Sequence, residues 1–163
     1  LLDMTGLQTV ERSDTISLAA LTEEVFCDLD PVAEKHQVRL IQTDGDCTVT
    51  GSYILLYRAV YNLVENAIKY NRPSGSVTVS IHTAESAVLE VIDTGIGISP
   101  ENQEKIFDPF YRVDKSRSRA MGGAGLGLAL VSEIARQHNG QVKVTQSSEK
   151  GSTIALMLPV TLL

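Results

Sequence analysis

Asn62, Asn66 and Lys69 recur at i, i+4 and i+7, which places two amides and an ammonium on one face wherever the segment is helical. An amide oxygen is a hard, neutral ligand of the kind Mg²⁺ accepts while it keeps waters and takes other oxygens from substrate phosphates. Lys69, one turn on, is placed to reach a phosphate. A single polar stripe is nevertheless more often a solvated helix face than a site. Asp93 ends an apolar stretch and opens Asp93-Thr94-Gly95-Ile96-Gly97-Ile98, whose two glycines let backbone approach a flat ligand. A carboxylate there accepts a hydrogen bond from an exocyclic amine. Adenine carries that donor at N6 where guanine has a carbonyl oxygen, so a buried acceptor selects adenine. The plain reading of Asp-Thr-Gly is a strand-ending turn, which is equally common. Finally, Gly122-Gly123-Ala124-Gly125-Leu126-Gly127-Leu128 runs straight into a helix pattern and offers backbone N–H groups and a positive helix end to phosphates. It is not a Walker A loop, and Gly123, Gly125 and Gly127 do not follow the dinucleotide fingerprint.

The elements that position these residues follow from periodicity and punctuation, because the chain has no internal repeat and no low-complexity tract. Leu18, Leu21, Val25, Leu29 and Val32 predict a helix over Leu18–His36, with Pro31 expected to kink or interrupt it late. Residues 38–41 and 48–50, short and β-branched about Asp44-Gly45-Asp46, predict a hairpin. Ser52 caps a helix to about residue 71, ended by Pro73 and Gly75, with Leu56, Val60, Leu63 and Ala67 buried opposite the amides. Val77, Val79 and Ile81 pair antiparallel with Ala87–Asp93. Residues 94–125 form a long segment rich in glycine and charge, with a helical turn or two at 101–106. A third helix spans 126–138 and stops at Gly140; 141–146 and 153–158 close the sheet as a hairpin. The pattern predicts an α/β two-layer sandwich with a mixed, mostly antiparallel sheet and three main helices on one face.

A chain of 163 residues fits one domain, taken as residues 17–163 behind a leading segment of 1–16. The net charge of -6, with basic residues scattered outside a short cluster from Arg112 to Arg119, argues against a grip on nucleic-acid backbone. Cys27 and Cys47 form no C-x-x-C pair and lie far from any histidine at metal-ligand spacing, which fits reduced thiols in a cytosolic compartment. No apolar run approaches a membrane span, and Leu1-Leu2 leads into Asp3 rather than a signal-peptide core.

The joint order of these features carries a resemblance. Asn62-Leu63-Val64-Glu65-Asn66-Ala67-Ile68-Lys69-Tyr70 resembles the asparagine box of bacterial sensor histidine kinases, and Asp93-Thr94-Gly95-Ile96-Gly97-Ile98 their first glycine box. Phe107-Asp108-Pro109-Phe110-Tyr111-Arg112 is similar to the phenylalanine box, and Gly123-Ala124-Gly125-Leu126-Gly127-Leu128 to the second glycine box. The four stand in family order and the likeness covers about residues 18–159. The family belongs to the Bergerat-type ATP-binding superfamily, shared with DNA gyrase, mismatch-repair ATPases and a heat-shock chaperone.

The resemblance implies ATP and Mg²⁺ as cofactors. Asn66 would coordinate the metal, Asn62 support the metal and phosphate side, Lys69 and Tyr70 contact phosphates, and Asp93 bind adenine N6 with Gly95, Gly97 and Ile98 around it. Residues 109–123 would form the ATP lid, with Tyr111 and Arg112 beside the terminal phosphates. Gly123, Gly125, Leu126, Gly127 and Leu128 would close the site. Gly151-Ser152 resembles the family's late Gly-Thr pair, and Ser152 keeps the hydroxyl. Asn62 stands where the superfamily's hydrolases carry a water-activating glutamate; Glu65 is read as a helix-surface residue paired with Lys69.

One departure shapes the functional expectation. The family's acceptor histidine lies in a His-Glu-Leu-Arg-Thr-Pro-like segment on a separate hairpin, and His36, His82 and His138 have other neighbours. The chain is therefore expected to be a catalytic fragment, itself monomeric, that phosphorylates a histidine on the dimerisation domain of a membrane-anchored homodimeric parent and acts upstream of a response regulator. The competing readings are a superfamily ATPase or anti-sigma-factor-like serine kinase, and a non-catalytic nucleotide-binding module.

Overall fold

Apolar residues at helical spacing in three segments, and at alternate positions in the strands, set the architecture. The computed structural model describes residues 14–109 and 127–161. In chain order these form β1 (Asp14–Ser17), α1 (Leu18–His36), β2 (Arg39–Gln42), β3 (Thr48–Gly51), α2 (Tyr53–Lys69), β4 (Ser76–Thr83) and β5 (Ala87–Asp93). Two single 3-10 turns follow at Pro100–Asn102 and Lys105–Phe107, then α3 (Gly127–Gln137), β6 (Gln141–Ser148) and β7 (Gly151–Leu158). The main sheet runs β2-β4-β5-β7-β6, parallel only where β2 meets β4. Val77, Val79 and Ile81 of β4, Ala87, Leu89 and Val91 of β5, and Ile154, Leu156 and Leu158 of β7 are buried. They meet the apolar stripes of α1 (Leu21, Val25, Leu29), α2 (Leu56, Val60, Leu63, Ala67) and α3 (Leu130, Val131, Ile134) in one core.

The N-termini of α1 and α2 are each met by their own serine cap and by an aspartate distant in sequence. The Ser17 hydroxyl accepts from the Ala20 N–H at 3.1 Å, and Asp46 Oδ1 accepts from the Ala19 N–H at 2.9 Å. Gln37 takes the left-handed conformation that closes α1 (φ 59°). Ser52 caps α2 as its sequence predicts, and Asp14 Oδ2 accepts from the Tyr53 N–H at 3.0 Å.

Three local expectations need correction. Residues 38–41 and 48–50 do not form a hairpin: β2 pairs in parallel with β4, while β3 pairs antiparallel with β1. The reason lies in the intervening turn, where Asp46 spends its carboxylate on the start of α1 and Gly45 lies so close to β4 that a Cβ would overlap the Ile81 carbonyl. Pro31 does not interrupt α1, because it is exposed and the Cys27 carbonyl freed by its ring also lies at an exposed position. Residues 14–16, read from sequence with the leading segment, are part of β1, in register with Val49, Thr50 and Gly51.

His138 follows α3 and is 3% exposed. Its Nδ1 lies 2.8 Å from the Ile134 carbonyl and so carries the proton, leaving Nε2 to accept from the Ser52 N–H at 3.0 Å. This buried imidazole ties the end of α3 to the start of α2, and both of its nitrogens are engaged. His138→Ala is expected to cost about 3 kcal/mol through the cavity and the stranded Ser52 N–H. Urea denaturation measures this, and a loss below about 1 kcal/mol would show that the imidazole is not a structural tie.

Candidate functional site

The site forms where the ends of β5 and β7 meet the last turns of α2. Register alone sets Asp93 opposite Ser152 on one side and Val77 on the other. The Ser152 hydroxyl donates to Asp93 Oδ2 at 2.8 Å, and the N–H groups of Ser152 and Gly95 donate to Oδ1 at 3.2 and 2.9 Å. The carboxylate is thus fixed from two strands and from its own turn. Gly151 (φ 138°) brings β7 so close that a Cβ would overlap the Asp93 carbonyl, and Gly97 (φ 77°) does the same against Ser148. The Ile98 N–H then donates to the Ser147 hydroxyl at 2.6 Å, holding the turn against β6, while Ile96 stays 42% exposed beside it.

On α2, Asn62, Asn66 and Lys69 share one partly exposed face, as their spacing predicts. Asn62 Nδ2 donates to the Gly127 carbonyl at 3.4 Å, which joins the amide row to the first residue of α3. Leu128 packs half-buried against the core from that end. Lys69 Nζ lies 3.8 Å from Glu65 Oε1, the i, i+4 pair expected for Glu65. Tyr70 caps α2, and a Cβ at Gly95 would overlap its carbonyl, so the helix end and the Asp93 turn touch backbone to backbone. Tyr111, Arg112, Gly123, Gly125 and Leu126, together with nearly all of the proposed lid, lie outside the described residues.

Among the described residues no cluster of His, Cys, Asp or Glu can hold a metal alone. A divalent cation there would rely on the neutral Asn66 amide together with waters and ligand phosphate oxygens, all hard donors of the kind Mg²⁺ accepts. A groove of about 490 Å³ between α1 and α2 meets this region at Asn62 but is otherwise lined by tyrosines, carboxylates, Ile54 and Arg58, away from Asp93. Sequence reasoning missed Asn71, legible only as the approximate end of α2, and Ser147, whose approach to Ile98 depends on the β6–β7 register.

Burial pushes the Asp93 carboxyl above its ordinary value, against the opposing pull of the Gly95 and Ser152 hydrogen bonds. A carboxyl with a raised folded pKa contributes stability that is full below its unfolded pKa and is lost as pH rises through the folded one. Asp93→Asn keeps an acceptor for both N–H groups and can donate to Ser152. The variant is therefore expected to melt above the ligand-free parent protein near neutral pH, with the advantage shrinking as pH falls toward about 4. A variant that melts lower than the parent protein at neutral pH contradicts this.

Residues 51–162 match the family described as "Histidine kinase-, DNA gyrase B-, and HSP90-like ATPase". Sensor histidine kinase RppB of Synechocystis sp. is 43% identical over 141 residues, covering 86% of this chain and 31% of RppB. The chain thus spans about a third of that relative. Among solved structures, a mycobacterial sensor histidine kinase, MprB, superposes with a TM-score of 0.76 at 28% identity, covering 93% of this chain and 99% of that one. Full-length ShkA, solved in complex with AMPPNP, shares the fold at a TM-score of 0.81 and 22% identity, over 98% of this chain and 34% of ShkA. The chain belongs to the histidine kinase-, DNA gyrase B- and HSP90-like ATPase family, as a homologue of the catalytic domains of sensor histidine kinases.

Proposed function

We propose that this chain binds Mg-ATP and transfers the γ-phosphoryl group to a histidine on a separate dimerisation domain of its parent protein. The observation that carries the reading is the Asp93 carboxylate, held by Ser152 and Gly95 at a strand end whose following turn meets the end of α2, the helix that bears the amide row. In this reading Asp93 accepts from adenine N6, and Gly95, Gly97 and Ile98 supply the backbone wall against the ring. Asn66 holds the metal, with Asn62 beside it, and Lys69 leaves Glu65 for phosphate oxygens with Tyr70 nearby. Tyr111, Arg112, Gly123, Gly125 and Leu126 take the roles their motifs imply, and Gly127 and Leu128 close the phosphate end.

Bound Mg²⁺ would supply charge neutralisation on the phosphates. The residues of the chain contribute position: they align the γ-phosphorus with an incoming imidazole nitrogen, whose lone pair forms the P–N bond as the bond to the β,γ-bridging oxygen breaks and ADP leaves with the electron pair. A neutral imidazole nitrogen is already nucleophilic, so no general base is required of this chain, in keeping with Asn62 at the position where hydrolases carry glutamate. The phosphoryl group then passes from the parent to a response regulator. Among the described residues no helix is long and apolar enough to cross a membrane; the reading places this domain on the cytosolic side of an anchored, dimeric parent.

Incubation with γ-labelled ATP tests the transfer. The chain alone is expected to remain unlabelled, and to label the dimerisation hairpin of its parent with acid-labile, base-stable phosphate, lost in Asn66→Ala. Stable labelling of His36, His82 or His138 would overturn the fragment reading, and label on serine would favour the serine-kinase alternative.

A further inference from the structure

Where the end of α2 meets the turn after β5 lies a polar cluster, with Asn71 buried and Thr94 at the surface, to which no role has so far been given. Asn71, 9% exposed, follows Tyr70, the residue that caps α2. Its Nδ2 donates to the Ser76 carbonyl at 2.8 Å, and its Oδ1 accepts from the Arg72 N–H at 2.8 Å and from the Thr94 hydroxyl at 2.9 Å. Thr94 Oγ1 accepts in turn from the Ser76 N–H at 2.9 Å, and the Thr94 N–H donates to the Ser76 carbonyl at 3.2 Å. One asparagine and one threonine thereby join the end of α2, the start of β4 and the turn after β5. Two glycines make room for them. A Cβ at Gly75 would overlap Asn71 Oδ1 and crowd Thr94 Oγ1, and a Cβ at Gly95 would overlap the Tyr70 carbonyl and lie 3.2 Å from Asn71 Cα.

The geometry has an asymmetry. The Asp93 carboxylate is held by Ser152 of β7 on one side and by the Gly95 N–H of its own turn, and neither Asn71 nor the Thr94 side chain is among these donors. The last turn of α2, which carries Asn66, Lys69 and Tyr70, meets the Asp93 turn through Asn71, Thr94 and the Gly95 contact. Losing the Thr94 hydroxyl would leave the carboxylate where the sheet sets it and release the helix end from it.

We propose that Asn71 and Thr94 are positioning residues that fix the separation between the adenine acceptor Asp93 and the phosphate- and metal-facing end of α2. The proposal rests on the nucleotide reading above. A ligand that spans both halves of the cleft depends on this clasp, whereas a ligand confined to the adenine half does not. Thr94→Val keeps the branched shape and removes the hydroxyl; Thr94→Ser keeps the hydroxyl and removes the methyl.

Titration of the full chain with Mg-ATP and, separately, with adenosine, followed by NMR, separates the outcomes. Thr94→Val is expected to weaken Mg-ATP about tenfold, the cost of about 1.4 kcal/mol of lost alignment. Adenosine affinity should stay within about twofold of the parent protein, and Thr94→Ser should restore Mg-ATP binding. In the unsubstituted protein the Asn71 side-chain amide and the Ser76 backbone amide should shift on addition of Mg-ATP and stay in place with adenosine, a readout that survives if Thr94→Val fails to fold. Equal losses for both ligands, undiminished Mg-ATP binding, a Ser variant as weak as the Val variant, or amides that ignore Mg-ATP would each overturn the clasp. An unsubstituted protein that binds neither ligand would instead remove the nucleotide reading on which the clasp rests.

Discussion

The interaction on which the site depends is the Asp93–Ser152 pair, made across β5 and β7 by the register of the sheet. A carboxylate at a partly buried strand end is costly unless its lone pairs are met. Here one hydroxyl and two N–H groups meet them, and burial still holds the carboxyl above its ordinary value. The sheet thus keeps in place an acceptor that favours a partner, and an exocyclic amine is a partner of the right polarity. The remainder of the architecture sets where a ligand reaching from that acceptor must extend.

That extension is governed by closeness of backbone. Gly151 lets β7 press on Asp93, Gly97 lets the following turn press on Ser148, and Gly95 lets the turn press on the end of α2. Each contact excludes a side chain, so each glycine shortens a distance that any other residue would lengthen. The amide row is carried to the cleft by α2, whose opposite stripe is buried in the core and whose start is tied through Ser52 to His138 at the end of α3. Asn62 in turn meets Gly127 where α3 begins. Stability and site geometry therefore share the same helices.

Much of this was legible in the residues because the signals were local. The bounds of α1, the Ser52 cap and the i, i+4, i+7 amide row follow from spacing within one element, and the β4–β5 pairing from two alternating runs joined by a short turn. The joint order of the motifs then supplied the family, which no single motif could. The partners of β2 and β3 were not legible, because short β-branched runs around Asp-Gly-Asp look like a hairpin until Asp46 is seen capping α1. Asn71 was unreadable for a related reason: a polar residue after a helix signals only an end, and its partners Thr94 and Ser76 are brought to it by the sheet.

If Asp93 accepts from the amine of adenine, as proposed, the protein must distinguish ATP from inosine triphosphate. The two differ at the purine 6-position, where a donor amine becomes an acceptor carbonyl. By calorimetry the protein should bind Mg-ATP at least about tenfold more tightly than the inosine nucleotide, since the latter leaves a buried acceptor unpaired. Asp93→Asn, which can present a donor instead, should erase or invert that preference. Equal affinity of the protein for the two nucleotides, or a preference unchanged by Asp93→Asn, would contradict the account.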